Sequence, residues 1–194
     1  MLEITLNLKG TTPLMCHNPQ LADPDNEWSK KIREITSKRT KTEEDRKQIA
    51  DLEWFGGIYT SPGIEGPSYP TYAVLRCLNE AGKMTKQGTA IFRAVSFSAV
   101  DIPLQYPGTR DIKQLVSKPS FRDVRTVGVQ TARTMRCRPQ FVDWSLTLKG
   151  VLQDDVLDLR DLEAIAKRAG ISIGLGEGRI LGMGRFEPEV KVTQ

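Results

Sequence analysis

Histidine occurs once, at His17, and cysteine three times, at Cys16, Cys77 and Cys137. A single histidine excludes a two-histidine metal site and leaves a Ser-His-Asp array no alternative base. Three scattered cysteines, odd in number, argue against a disulfide framework and a Cys-x-x-Cys metal site, and favour a reducing, cytoplasmic setting. No Gly-Lys-Ser/Thr is present, which excludes a P-loop. No apolar run approaches the roughly 20 residues of a membrane span, so no membrane contact is expected. The opening residues, Met1 to Leu6, lack the basic region of a signal peptide. Neither cofactor nor metal is implied. What remains is a chain of 194 residues, 39% hydrophobic and 27% charged, with a net charge of +4. That composition fits one globular domain carrying insertions.

The patterned segments come in a definite order. Leu2, Ile4, Leu6 and Leu8 alternate with Glu3, Thr5, Asn7 and Lys9, which predicts a half-buried strand ending at Gly10. A proline-bearing loop follows to Asn26. Residues 27–57 predict a charged helical hairpin with near-balanced charge, a Thr42/Asp45 capping box and the apolar positions Trp28, Ile32, Ile49, Leu52 and Phe55. Pro70 to Ala81 predicts a core helix closed by Gly82. Thr89 to Leu104 reads as a strand with Phe92 and Phe97 on opposite faces. One of these rings could serve as a stacking platform, although each alone reads better as core. Phe141 to Val151 alternates as a further strand. Asp158 caps a helix on Leu159, Leu162, Ile165 and Ala169, ended by Gly170, and a last strand starts at Phe186.

Acids are scarce in one region. Between 110 and 138, eight Lys and Arg residues face only Asp111 and Asp123, a net +6. Val124 to Arg138 alternates small apolar with polar or basic residues around Gly128, which predicts an extended β-hairpin inside an insertion spanning 105–139. Arg122, Arg125, Arg133, Arg136 and Arg138 are its candidate phosphate contacts. A charged surface hairpin and an arm docking on a neighbouring subunit are the alternatives.

The stretch Gly174-Leu-Gly-Glu-Gly-Arg-Ile-Leu-Gly-Met-Gly-Arg-Phe186 carries five glycines, Gly174, Gly176, Gly178, Gly182 and Gly184, and two arginines, Arg179 and Arg185. A helix precedes it and a strand follows, the reverse of a dinucleotide fingerprint. Its spacing suits outward-facing amides for a phosphate backbone, set against a plain helix-to-strand connection without a ligand. A helix, a Gly-rich loop ending in Gly-Arg-Phe and a closing strand resemble the C-terminal signature of the RAMP superfamily, the RNA-binding backbone and processing subunits of CRISPR effector complexes. The chain also resembles small bacteriophage-encoded proteins of unassigned function. The RAMP resemblance implies a single ferredoxin-like α+β domain over 1–194, ordered β-α-β-β-α-β like an RNA-recognition module, with 27–57 and 105–139 inserted. It implies neighbours stacking head to tail along a bound strand.

These readings converge on a non-catalytic protein that binds single-stranded RNA or DNA with little sequence preference and self-associates, in the limit as a filament. The alternatives are a metal-independent endoribonuclease using His17 as general base, and a structural or inhibitory interaction subunit. Asp23 and Asp25 also fall where some resembling subunits carry a cleaving aspartate. As a motif, Asp-Pro-Asp reads as a turn and helix N-cap.

Overall fold

Alternation at Leu2 to Lys9 makes β1, and the computed structural model, which describes residues 1–129 and 132–193, builds outward from it. In chain order the elements are β1 (Leu2–Gly10), β2 (Leu14–Met15), α1 (Glu27–Thr36), α2 (Glu43–Gly57), β3 (Ser68–Pro70), α3 (Thr71–Lys83), α4 (Gly88–Ala94), β4 (Val95–Phe97), β5 (Asp101–Pro103), α5 (Ile112–Val116), β6 (Arg122–Val129), β7 (Ala132–Phe141), β8 (Ser145–Leu152), α6 (Leu159–Arg168) and β9 (Phe186–Thr193). The fold is mixed α+β with antiparallel sheets. The chain closes into two compact units. Unit 1 comprises 1–14, 60–108 and 142–194; unit 2 comprises 15–59 and 109–141. None of the described helices is long and apolar enough to cross a membrane.

Unit 1 is organised on a four-stranded sheet of order β4-β8-β1-β9, every neighbour antiparallel. Ile4, Leu6 and Leu8 of β1 and Leu146, Leu148 and Leu152 of β8 are buried. Val74, Leu78 and Ala81 of α3 and Leu162, Ile165 and Ala166 of α6 are buried with them, so the helices supply the other half of the core. The alternate residues form a polar face. The Asn7 amide donates to Glu189 at 3.2 Å, the Thr147 hydroxyl donates to Asn7 at 3.0 Å, and the Thr5 and Thr193 hydroxyls meet at 3.3 Å. Asp158 caps α6 as its sequence implies, accepting from the Asp161 amide at 2.8 Å.

Three expectations are corrected in unit 1. The segment 89–104 is not one strand: α4 occupies its first part, then the short β4 and β5 follow. A short apolar run does not distinguish strand from helix, and here packing on α3 decides. The Asn79 side chain donates to the Gly88 carbonyl at 2.7 Å. A Cβ on Gly82 would stand 3.2 Å from Gly88, so the two helices approach closely there. Phe92 is consequently exposed on α4 and Phe97 half-buried on β4, so they do not form the two faces of one strand. Gly82 lies inside α3 and does not follow it. Gly170 lies within a π-turn, Ala169–Ile173, that prolongs α6 as far as Gly174.

Unit 2 contains α1, α2, α5 and the antiparallel strands β6 and β7. Thr42 and Asp45 form the expected capping box. Trp28 and Phe55 stack at 5.5 Å between ring centroids. Trp54, next to that stripe, is fully buried, and its indole N–H donates to the Phe121 carbonyl at 2.7 Å. Nearly all of both expected insertions thus falls in one unit, where each supplies the other's packing.

Two outcomes follow from this packing. Trp54→Phe removes the indole donor to the Phe121 carbonyl and should destabilise the chain by about 1–3 kcal/mol in denaturant unfolding. The Lys38 ammonium, 2.6 Å away, and the Thr42 amide hold the Asp45 carboxyl down at about 2. A lowered carboxyl stabilises above the unfolded range of about 4 and loses that effect as pH falls toward 2. Helicity measured by circular dichroism should fall over that window, and Asp45→Asn should flatten the dependence.

Candidate nucleic-acid interface

The hairpin β6–β7 sorts its arginines by strand parity. Arg125 stands directly opposite Arg136, Asp123 opposite Arg138, Arg122 opposite Pro139 and Gly128 opposite Arg133. Directly paired residues share a face, and residues two apart stay on it. Arg125, Arg136 and Arg138 therefore occupy one face with Asp123, while Arg122 and Arg133 occupy the other. Residues 130–131 lie outside the described residues.

Each face is held differently. On the Arg122 face, Pro139 packs against α2, where a Cβ on Gly57 would stand 3.0 Å from the proline ring. Arg122 donates to Asp51 at 2.6 Å and to the Val116 carbonyl at 2.8 Å, with a side chain only 17% exposed. It ties α2 and the end of α5 to the hairpin. On the other face, Arg125 donates through Nε and Nη2 to the two oxygens of Asp123, and these hydrogen bonds raise the guanidinium pKa. Arg136 donates to one oxygen of Glu53, whose other oxygen accepts the Cys137 amide at 2.8 Å. Asp123 and Glu53 are both buried. Arg138 has its Nε buried without a partner among the described residues. Arg133 is exposed.

Net charge follows the units. Unit 2 has 16 Lys and Arg against 11 Asp and Glu, net +5; unit 1 has 12 against 13, net −1. The basic excess of the whole chain therefore resides with the hairpin. The sequence reading missed that Asp51 and Glu53 of α2 neutralise two of its arginines. No local signal in either segment announces that pairing.

The glycine loop belongs to unit 1. All five of its glycines adopt positive φ: Gly174 79°, Gly176 73°, Gly178 72°, Gly182 80° and Gly184 69°. Its amides largely bond inward. Gly174 donates to Ala169, Leu175 to Gly184, Met183 to Gly178, and Gly184 to Pro13, each through backbone N–H to carbonyl. Arg179 pairs with Glu80 at 2.8 Å, and Arg185 donates to the Arg179 carbonyl at 3.1 Å. A Cβ on Gly184 would stand 1.8 Å from the Leu175 carbonyl oxygen. Glycine is required here for close packing of the loop on itself, where the spacing had suggested amides turned outward. Between the left-handed Gly178 and Gly182, Ile180 and Leu181 are exposed.

His17 is exposed in unit 2, and its carbonyl accepts from the Tyr59 hydroxyl at 3.0 Å. Asp23 accepts the Asp25 amide at 2.9 Å, and Asp25 pairs with Lys30 at 3.2 Å. The N-cap of α1 is Asn26, which accepts from the Trp28 amide, so the cap expected of the Asp-Pro-Asp turn falls one residue later. Burial pushes the Cys16 and Cys77 thiols up to about 12 and Cys137 up to about 11. None of the three supplies a thiolate nucleophile near neutrality. No group of three or more His, Cys, Asp or Glu residues that could hold a metal occurs among the described residues. No protein-family model matches the chain, and comparison with curated proteins returns no match.

Gly184→Ala should destabilise the chain by about 2 kcal/mol or more, through both the left-handed backbone and the Leu175 contact. Thermal unfolding of the variant measures it, and an unchanged melting temperature would mean that the loop repacks freely.

Proposed function

We propose that the chain binds single-stranded nucleic acid, largely independent of sequence, through the Arg125, Arg136 and Arg138 face of the hairpin. The observation that carries this reading is the segregation of charge: +5 in unit 2 against −1 in unit 1. Three guanidiniums at ladder spacing on one sheet face suit phosphate groups, which position a strand without reading its bases. Arg133 adds an exposed cation on the reverse side. Arg122 serves the fold, and Arg179 and Arg185 serve the glycine loop.

Unit 1 supports a ferredoxin-like reading. Numbering the strands of its main sheet in chain order, β1, β4, β8 and β9, gives the order 4-1-3-2 with α3 after the first and α6 before the last. With the glycine loop ahead of the closing strand, this order favours the RAMP-like assignment. The polar face of that sheet, Thr5, Asn7, Thr147 and Glu189, carries no aromatic residue at these positions to stack a base. The sheet face is therefore assigned a scaffold role and the hairpin the contact role.

The test is fluorescence anisotropy on labelled single-stranded DNA and RNA over a range of salt. Each phosphate neutralised contributes about −0.7 to the slope of log affinity against log salt, so three contacts give about −2. Salt-independent affinity, or no binding at low salt, overturns the proposal.

A further inference from the structure

We propose that Arg125 and Arg136 together form a preformed clamp for one phosphate group, each oriented at one edge by a buried carboxylate, Asp123 or Glu53. This assignment rests on the nucleic-acid reading for its biological ligand, but the clamp can be tested without nucleic acid.

The register puts the two arginines directly opposite each other, with Cα atoms about 5 Å apart by the geometry of an antiparallel pair. Like charges placed so are unfavourable across a ladder unless something intervenes. Two carboxylates do intervene, each at one edge of a guanidinium. Asp123 occupies the Nε–Nη2 edge of Arg125, and Glu53 occupies Nη1 of Arg136. A guanidinium offers five N–H donors in a planar fork. Nη1 of Arg125, and Nε and Nη2 of Arg136, make no hydrogen bond among the described residues. Two forks are thus fixed at one edge, while donors at the other edge have no protein partner.

The chemistry of the supports matters as much as the arginines. Asp123 is 8% exposed and Glu53 is 6% exposed, so neither can swing into solvent to follow a departing arginine. Glu53 is held a second time by the Cys137 amide. The rotamers are therefore fixed before any ligand arrives, and little side-chain entropy remains to be lost on binding. Adding Arg138, the face holds three guanidiniums against two carboxylates, a residual positive charge that favours an anion. A tetrahedral oxyanion with several acceptor oxygens can bridge two forks, and a phosphate group is the member of that class found along every nucleic-acid strand.

The experiment uses the full chain. Inorganic phosphate is titrated in at constant ionic strength while the arginine Nε–H signals are followed by NMR. The expected result is a saturable shift of Arg125 and Arg136 with one common dissociation constant, while Arg122 stays put. The control is the double variant Arg136→Gln with Glu53→Gln, which removes one fork and leaves no unpaired buried charge; saturation at Arg125 should disappear. A linear drift of all arginines alike, or saturation that survives in the double variant, overturns the clamp. The same variant should also flatten the salt slope on oligonucleotide by about 0.7. Phosphate saturation without oligonucleotide binding would sink the nucleic-acid reading and leave the clamp standing. Oligonucleotide binding with an unchanged slope would do the reverse.

Discussion

Glu53 is a carboxylate held almost wholly out of water, and unit 2 is arranged around keeping it there. Burying such a charge unpaired costs several kcal/mol. The cost is offset by the Arg136 guanidinium on one oxygen and the Cys137 amide on the other. The next residue, Trp54, buries its indole and donates to the Phe121 carbonyl just before β6. Two successive residues of α2 therefore hold β7 and the residue that leads into β6. Helix and hairpin cannot part without breaking both contacts. This explains how a hairpin poor in large apolar residues is ordered: polar contacts to one helix hold it where a hydrophobic face would usually do so.

The same contacts show why counting charge along the sequence misjudges a surface. The segment 110–138 has a net +6, yet two of its arginines are spent on α2 and a third on Asp123. The partners of Arg122 and Arg136 lie some 70 to 80 residues upstream, in the helix α2. Local periodicity has no means of encoding a pairing across that separation. The alternation encodes the hairpin itself, and the strand register then sorts its arginines between the two faces.

Legibility elsewhere followed the same line between local and tertiary causes. β1, the capping box at Thr42 and Asp45, the Asp158 cap and the hairpin rest on neighbours within a few residues, and all were readable. The segment 89–104 was not, because packing against Asn79 and Gly82 turns its first half into α4. The glycine loop was half readable. Its five glycines do mark left-handed backbone, but the reason is the approach of Gly184 to Leu175 and not a turning of amides outward. Glycine spacing reports where a backbone must pass closely, and only tertiary structure says whether the other party is a ligand or the same loop.

An arginine-rich sheet face must solve two problems with one set of carboxylates. Bare, three guanidiniums at ladder spacing would repel and splay the strands. Fully neutralised, they would attract no anion. Asp123 and Glu53 stand between these limits: both are buried, both engage a guanidinium from one edge, and together they leave one positive charge of three uncompensated. Exposed acids would be poor substitutes, since a solvated carboxylate on a flexible stem competes with an incoming phosphate for the open edge of the fork. Burial removes that competition because the acid can reach only the edge it already holds. The depth of these two carboxylates therefore lets one hairpin be stable when empty and still attractive to an anion.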